Sequence, residues 1–310
     1  MQIIDAATVT ARLPPVRLVA ALERMFRDGC TAPARHHHTV EVPGAPDATL
    51  LLMPAWQSGT WLGIKLVTVF PGNSARRLPA VSAGYLLMDA TTGELKAMID
   101  GGELTARRTA ATSALAARYL APPDARTLLV VGTGRIARNL AQFHVALRPE
   151  LGTVSVWGRS ASHAQTLVTE LAHTGVAARV VTDLESAVRA ADLIAAATLA
   201  TAPLIRGEWV RPGTHVDLVG GYTTAMREAD DALVSKASVF VDTEGAMSES
   251  GDVAVPLERG ILRREAIVDL AALARGRHRG RASAAEITLF KSVGAALEDL
   301  AAAILVVEST

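Results

Sequence analysis

The spacing of hydrophobic and polar residues changes along the chain, and these changes divide it into three parts. Up to about residue 117, alternating runs bounded by turn residues predict strands, and two stretches with helical periodicity predict helices. The strands are predicted at 1–4, 49–54, 60–69, 84–89 and 96–99, and the helices at 15–27 and 104–119. We therefore expect the first part to be a mixed α+β unit.

In the second part, from about residue 118 to 285, apolar runs of strand length alternate with helical patterns. The strands are predicted at 127–131, 153–157, 178–182, 192–198, 214–219 and 238–242. Six strands that alternate with helices predict an α/β fold with a Rossmann-type, doubly wound parallel sheet.

The third part, residues 286–310, is too short to form a domain by itself. It contains the run Ile287-Thr-Leu-Phe-Lys-Ser292 and then a helical pattern from Val293 to Leu305. We expect it to return to the first part, so that residues 1–117 and 286–310 form one domain and residues 118–285 form the second.

A glycine-rich turn, Gly-Thr-Gly-Arg-Ile-Ala at 132–137, follows the first strand of the second part and opens a helical pattern. In dinucleotide-binding units the first glycine permits the tight turn, and the second lets the pyrophosphate approach the backbone. The first N–H groups of the helix then face the phosphates. The predicted cofactor-binding residues are Gly132, Thr133, Gly134, Arg135 and Ile136. The turn therefore predicts a nicotinamide cofactor, and the alternative is an ordinary glycine-rich turn.

The end of the next strand predicts which cofactor is preferred. NAD-dependent enzymes usually place an acidic residue here to bind the ribose 2′-hydroxyl, but none occurs between Gly152 and Ser162. Arg159 instead offers a planar set of donors that suits a 2′-phosphate, and Ser160 can donate one more hydrogen bond. We predict that NADPH is preferred and that NADH remains possible. The alternative is a solvated arginine in a loop.

Composition argues against several other classes of protein. The 310 residues are 50% hydrophobic, and 31 basic side chains balance 31 acidic ones, so no basic surface is available to follow a nucleic acid. A single cysteine, Cys30, excludes an intramolecular disulfide and is typical of a reducing compartment. The sequence predicts neither a signal peptide nor a membrane-spanning segment, because it shows no uncharged apolar stretch of the required length. We expect a cytoplasmic protein without nucleic-acid or membrane partners.

Three basic residues of the first part are candidates for substrate binding or catalysis. Lys65 lies inside an apolar strand, Arg108 lies in the alanine-rich helix, and Arg35 precedes three histidines. An unpaired ammonium is costly to bury, so Lys65 must face a cavity, an edge or a partner. The ordinary alternative for all three is a solvated side chain at the surface.

No metal site is predicted. His36, His37 and His38 are adjacent, and side chains of an extended segment point alternately to opposite sides, so the three cannot all bind one ion. The sequence also lacks paired cysteines with zinc-site spacing and an HExxH motif. The Gly-x-Ser-x-Gly motif of serine hydrolases is missing as well.

Several separated motifs together resemble the ornithine cyclodeaminase / mu-crystallin family, and within it the cyclic ketimine reductases. In chain order these motifs are Met53-Pro-Ala55, Gly63-Ile-Lys-Leu-Val-Thr-Val-Phe-Pro71, Asp100-Gly101, Leu104-Thr-Ala-Arg-Arg-Thr-Ala-Ala111, the glycine turn, Val219-Gly-Gly221, Arg227-Glu228 and Ile287-Thr-Leu-Phe-Lys-Ser-Val-Gly294. The resemblance therefore covers nearly the whole chain.

The resemblance implies a homodimer in which the N-terminal part and the C-terminal helix form the substrate-binding and dimerisation domain. It also implies that Arg35, Lys65 and Arg108 surround the carboxylate of a small substrate. The positions that it places near the cofactor are Thr109, Thr198, Val219 and Ser292.

One residue decides between activities of this family. Members that cyclise ornithine have an aspartate directly after the glycine pair that matches Gly220-Gly221, and this chain has Tyr222 there. A phenol is neutral near pH 7 and cannot replace a carboxylate base. The resemblance then implies reduction of delta-1-pyrroline-2-carboxylate or delta-1-piperideine-2-carboxylate to L-proline or L-pipecolate. Lys65 is the candidate proton donor, with its pKa lowered by the two arginines, and Tyr222 is expected to line the ring pocket.

Three other activities stay open at this point. A lyase of the same family, either ornithine cyclodeaminase or hydroxyproline dehydratase, would consume no NADPH. A reductase of linear imines or keto acids, such as alanine dehydrogenase, would require free ammonia. A binding protein like mu-crystallin, which takes NADPH and thyroid hormone, would show no turnover.

Overall fold

The chain folds into two compact units in the computed structural model, which describes residues 1–309 without the side chain of Ser74. Unit 1 consists of Met1–Arg108 and the segment that begins at Ala295, and unit 2 is Thr109–Gly294. The boundaries therefore fall after residues 108 and 294, whereas the sequence patterns place them after residues 117 and 285.

The N-terminal third of the chain contains six strands and three helices. In chain order they are β1 (Gln2–Ile4), α1 (Ala6–Arg12), α2 (Pro15–Asp28), β2 (His36–Val40), β3 (Ala48–Gln57), β4 (Trp61–Val69), β5 (Val81–Asp89), β6 (Leu95–Asp100) and α3 (Gly101–Leu120). The first unit boundary lies inside α3, which begins three residues before the predicted helix.

The rest of the chain alternates strands with helices until its last helix. The elements are β7 (Thr127–Val131), α4 (Arg135–Leu147), β8 (Thr153–Trp157), α5 (Ala161–His173), β9 (Ala178–Val180), α6 (Leu184–Ala190), β10 (Leu193–Ala196), β11 (His215–Leu218), α7 (Asp231–Lys236), β12 (Ser238–Val241), α8 (Ala246–Glu249), α9 (Gly251–Glu258), β13 (Val268–Asp269), α10 (Leu270–Ala274), β14 (Thr288–Lys291) and α11 (Ala296–Glu308).

The six strands of unit 1 form one sheet in the order β1-β6-β5-β4-β3-β2. Strand β1 is parallel to β6, and the other neighbours are antiparallel. Five of these strands follow the apolar pattern of the sequence. The pattern misses β2, because the residues of this edge strand, which include the three histidines, are all exposed and show no apolar alternation.

The two faces of this sheet differ in burial. Met53, Lys65 and Tyr85 are neighbours across β3, β4 and β5, and all three are buried on the face against which α11 packs. Leu66 and Leu86 follow Lys65 and Tyr85 in the chain, so they point to the opposite face, where both remain partly exposed. One face of the sheet is therefore a core and the other is an incompletely covered apolar surface.

Unit 2 is the doubly wound parallel sheet that the sequence predicts. Its eight strands lie in the order β13-β12-β14-β11-β10-β7-β8-β9, and all neighbours are parallel. The chain moves outward from β7 to β9 and then returns to place β10 on the other side of β7. Ligands of such sheets bind at the carboxyl ends of the strands where the direction of winding reverses. The expected cofactor site is therefore at the ends of β7 and β10.

Strand β14 lies elsewhere than the sequence patterns place it. Its segment is expected to return to the first part of the chain, yet β14 pairs with β11 and β12 in the middle of the unit 2 sheet. All four of its residues are fully buried, as expected for a central parallel strand. An apolar run of this kind shows that a strand is buried, but it does not show in which sheet.

Across residues 1–309, no helix has the length and apolar character needed to cross a membrane.

Candidate functional site

The turn after β7 requires glycine at its first position. Gly132 has a φ of +124°, which residues with side chains rarely adopt, and a Cβ atom built on it would lie 2.5 Å from the carbonyl oxygen of Ala197. Ala197 directly follows β10, so the turn lies against the end of the neighbouring strand. The glycine therefore lets the two carboxyl ends at the winding reversal come together.

The second glycine leaves the start of α4 open. A Cβ atom on Gly134 would have no atom within 4 Å among the described residues, and no side chain caps the helix there. The N–H groups of Arg135 and Ile136 belong to the first turn of α4 and have no partner within the helix. Ala137 is fully buried beneath them. Open backbone beside unsatisfied N–H donors fits a pyrophosphate.

Thr133 and the residues after β8 lie near this turn. The Thr133 methyl group covers Gly158, where an added Cβ would come within 2.5 Å of it. Arg159 is exposed. Ser160 has a role that the sequence does not reveal, because it caps α5: its Oγ accepts a hydrogen bond from the N–H of His163 at 3.4 Å and lies 2.8 Å from the Oγ of Ser162. Its hydroxyl therefore also stabilises the start of that helix.

The positions that the resemblance assigns to the nicotinamide end follow three neighbouring strands. Thr198 comes after β10, Val219 after β11 and Ser292 after β14. The hydroxyl of Thr198 donates to Glu228 at 2.8 Å, and that of Ser292 donates to Asp242 at 2.9 Å. Val219 is 7% exposed.

Two further predicted residues occupy unit 2. Thr109, the first residue of unit 2, is buried in α3. Tyr222 follows β11 and is 43% exposed, so its ring is accessible.

In unit 1 the structure brings together two of the three predicted cations, Lys65 and Arg108. The Nζ atom of Lys65 lies 2.7 Å from Asp299 Oδ2, and the Nε atom of Arg108 lies 2.8 Å from the other oxygen of the same carboxylate. The Nη1 atom of Arg108 is 2.6 Å from Glu298. All four side chains are almost fully buried. We call these four residues the cation cluster.

The carboxylates of the cation cluster are functional candidates that the sequence patterns miss. Glu298 and Asp299 lie in the first turn of α11, a helix that is otherwise almost entirely apolar. Two acidic residues at the start of a helix usually face solvent and favour the helix dipole. Here both are fully buried. The sequence feature that could have identified them is a pair of adjacent acidic residues in a helix whose surrounding residues are apolar.

Burial lowers the pKa of Lys65 to about 8, and the positive charge of Arg108 adds to this shift. Asp299 opposes it, and Arg35 lowers the pKa further. The predicted direction is therefore present, but burial rather than the two arginines is its main cause. A lysine that loses its proton near pH 8 can donate one in the neutral range.

A buried phenol lies beside Lys65 and was not a candidate on sequence grounds. Tyr85 is the neighbour of Lys65 on β5, and its hydroxyl group has no hydrogen-bond partner within residues 1–309. Burial, with smaller contributions from Asp299 and Cys30, raises the pKa of this hydroxyl well above its ordinary value, so it stays neutral. Gly63 is needed here, because an added Cβ would come within 2.0 Å of the Tyr85 oxygen.

The histidines of β2 are all exposed at the sheet edge. Among the described residues, no group of three or more histidine, cysteine or acidic side chains could hold a metal ion.

A doubly wound parallel sheet with a glycine turn at its winding reversal is the architecture of dinucleotide-binding domains. The chain belongs to the ornithine cyclodeaminase/mu-crystallin family, which matches residues 4–310.

Among its relatives, the delta(1)-pyrroline-2-carboxylate reductase of Paracoccus denitrificans is 41% identical over 301 residues, which cover 96% of this chain and 94% of the relative. Two solved structures share the whole fold. One is the delta(1)-pyrroline-2-carboxylate reductase of Thermococcus litoralis in complex with NADH and L-proline, with 30% identity, a TM-score of 0.92 and coverage of 100% of this chain and 97% of that one. The other is an archaeal alanine dehydrogenase dimer with bound NAD, with 28% identity, a TM-score of 0.89 and coverage of 100% of this chain and 95% of that one. The protein is therefore an NAD(P)H-dependent oxidoreductase of this family.

Proposed function

We propose that the protein reduces a cyclic imino acid, delta-1-pyrroline-2-carboxylate or delta-1-piperideine-2-carboxylate, to L-proline or L-pipecolate with NADPH. The observation that carries the proposal is Lys65, a buried lysine whose pKa is lowered to about 8 next to a buried arginine. Such a pair can bind an anionic substrate and give it a proton at neutral pH. Relatives named as delta(1)-pyrroline-2-carboxylate reductases support the choice of substrate.

The residues of unit 1 divide the work between binding and proton transfer. Asp299 and Glu298 fix the guanidinium of Arg108 in one orientation, so this cation can attract the substrate carboxylate without a large loss of side-chain entropy. Arg35 adds a second positive charge near Lys65. When bound, the nicotinamide supplies a hydride to the imine carbon. Lys65 then provides the proton that the imine nitrogen needs, directly or through a water molecule.

Tyr222 favours reduction over deamination. It stands where ornithine cyclodeaminases have an aspartate, and its partly exposed ring can cover a substrate ring but cannot serve as a carboxylate base. A lyase of the same family remains the alternative activity.

The preference for NADPH rests on Arg159. This exposed side chain follows β8, where NAD-dependent enzymes place an acidic residue. The NADH complex of the Thermococcus litoralis relative is the reason to keep NADH as a second cofactor.

A homodimer is supported by the partly exposed face of the unit 1 sheet. Leu52, Ile64, Leu66 and Leu86 lie on this face as neighbours across three strands. Such a continuous apolar surface is typical of a protein interface. A second copy of this chain is the proposed partner, as in the related alanine dehydrogenase dimer.

The test follows the absorbance of NADPH with each of the two cyclic imines, and with ornithine as the control. We expect oxidation of one NADPH per imine reduced and none with ornithine. Ammonia release from ornithine without loss of NADPH would instead support the lyase. Turnover of pyruvate that depends on added ammonia would support a linear substrate.

A further inference from the structure

A buried carboxylate in unit 2 connects two loops at the expected cofactor edge. Oε1 of Glu228 accepts hydrogen bonds from the backbone N–H of Thr198 at 2.7 Å and from its hydroxyl at 2.8 Å. Oε2 accepts from the N–H of Gly220 at 2.7 Å. Thr198 follows β10 and Gly220 follows β11, so both oxygens of one fully buried side chain hold the ends of adjacent strands.

The two loops also touch each other. An added Cβ on Gly220 would lie 1.9 Å from the carbonyl oxygen of Thr198 and 2.7 Å from Oε1 of Glu228. Only glycine allows this approach of backbone to backbone. The carboxylate therefore fixes a contact that has no space for a side chain.

Two more buried charges hold Glu228 in place. Asp252 Oδ1 accepts hydrogen bonds from the N–H groups of Glu228 at 2.7 Å and Ala229 at 3.0 Å. The Nζ atom of Lys291, at the end of β14, lies 3.2 Å from Asp252 Oδ2 and 4.0 Å from Glu228 Oε2. Glu228, Asp252 and Lys291 are fully buried, and we call them the carboxylate cluster. It joins the ends of β10, β11 and β14.

We propose that Glu228 is a positioning residue for the nicotinamide half of the cofactor, because it fixes the backbone at Thr198 and Gly220 where that half is expected to bind. The inference rests on the proposed function for the identity of the cofactor. Glu228 acts through the loops and contacts no reacting atom. Lys291 stabilises its carboxylate, Asp252 fixes its backbone, and neither takes part in the reaction.

A carboxylate is needed for this role because both of its oxygens accept. The amide of glutamine can accept at one position only, and its NH₂ group would face an N–H donor at the other. Glu228→Gln therefore breaks one of the two loop contacts with little change in size.

The test compares two ligands of the whole protein by calorimetry: NADPH, and its nicotinamide-free fragment 2′-phospho-ADP-ribose. Glu228→Gln is expected to weaken NADPH binding roughly tenfold and to leave binding of the fragment unchanged. Asp192→Asn is the matched control. Asp192 also accepts from backbone N–H groups, those of Arg126 and Thr127, but at the opposite edge of the same sheet. It should leave both affinities unchanged.

Equal weakening of NADPH and fragment, or no change in either, would overturn the inference. If Glu228→Gln does not fold, Thr198→Val removes only the hydroxyl donor and should weaken NADPH alone, by a few-fold. For this variant too, equal weakening of NADPH and fragment, or no change in either, would contradict the inference. The proposed function fails separately, when the wild-type protein binds NADPH but reduces neither imine, and the binding comparison then still decides the role of Glu228.

Discussion

Lys65 and Lys291 are both buried beside carboxylates, but they have different surroundings. Lys65 shares the carboxylate of Asp299 with Arg108, and the charge of Arg35 is near as well. Lys291 faces two carboxylates, those of Glu228 and Asp252, without another basic side chain in the cluster.

The difference separates chemistry from positioning. In the cation cluster, burial and the charge of Arg108 lower the pKa of Lys65, so this lysine gives up its proton readily. Where carboxylates outnumber the lysine, the ammonium serves as a counter-ion, and the carboxylates can accept hydrogen bonds from the backbone. The cation cluster therefore suits proton donation, and the carboxylate cluster suits the ordering of loops.

The largest effect is expected from the replacement of Lys65, which tests the difference between the two lysines directly. Lys65→Met should lower kcat for imine reduction by about 10²–10⁴-fold, because the proton donor is lost, and should leave NADPH affinity unchanged, because Lys65 is not among the predicted cofactor-binding residues. Steady-state kinetics and calorimetry measure the two quantities.

Lys96→Met is the control for Lys65→Met. Lys96 lies on β6 of the same sheet and pairs with Glu94 at its partly exposed surface. Its replacement should preserve turnover. Near-normal turnover of Lys65→Met would place the acid elsewhere, and a loss of NADPH affinity in that variant would remove the distinction between the two lysines.

The second prediction concerns a cation outside both clusters. Arg159→Ala should weaken NADPH binding by about 10- to 100-fold, the loss of one charge-assisted contact of about 1.5–3 kcal/mol. NADH binding should change little, because NADH has no 2′-phosphate. Calorimetry with both dinucleotides is the measurement.

Arg189→Ala is the matched control for Arg159, since Arg189 is exposed in the same unit and pairs with Glu185 at 2.7 Å. It should leave both affinities unchanged. Equal weakening of NADPH and NADH by Arg159→Ala would mean that this side chain does not select the phosphate.

The sequence predicts the sheet of unit 2 and the cations of unit 1 for physical reasons. The glycine turn is a local requirement for backbone space, and the six predicted strands follow from apolar runs. A lysine inside an apolar strand is a signal because burial of an unpaired charge is costly.

The partners of these residues depend on contacts that are distant in the chain. Asp299 is far along the chain from Lys65, and no local pattern joins them. The hydrogen bond from Gly220 to Glu228 likewise follows only from how the loops close. The sequence patterns assign strand β14 to the wrong unit, because an apolar run does not identify its neighbours in a sheet.

The third prediction concerns the pH dependence of the reaction and the role of Asp299 in the cation cluster. Lys65 must be protonated to act, so kcat/KM should fall as the pH rises through about 8. Asp299 holds the pKa of Lys65 up, against burial and Arg108, so Asp299→Asn should move this fall to lower pH. A pH–rate profile measures the shift.

Glu298→Gln is the control for Asp299→Asn, because it removes the other carboxylate of Arg108, and Lys65 pairs with Asp299 instead. Its profile should keep the fall near pH 8. Identical pH–rate profiles for Asp299→Asn and the wild type would show that the fall in kcat/KM is not caused by deprotonation of Lys65.

The smallest effect is expected at a third buried cluster, which contains no lysine. His215 lies 3.0 Å from Asp217 Oδ1, and His144 lies 3.1 Å from Asp217 Oδ2. Burial lowers the pKa of His215, with smaller effects of His144 and Arg281 in the same direction, and Asp217 opposes the shift. His215 therefore stays neutral in the folded protein at a pH where the unfolded chain already binds a proton.

This linkage fixes the sign of the pH dependence. The contribution of His215 to the free energy of unfolding is present above pH 6.5 and is lost as the pH falls toward its lowered pKa. His215→Asn should reduce the loss of stability between pH 7.5 and 5.5 by on the order of 1 kcal/mol, as measured by urea unfolding. Replacement of His163, an exposed histidine of α5, by asparagine should leave this loss of stability unchanged. A change in NADPH affinity that follows the titration of His215 would contradict the assignment of cofactor positioning to the carboxylate cluster.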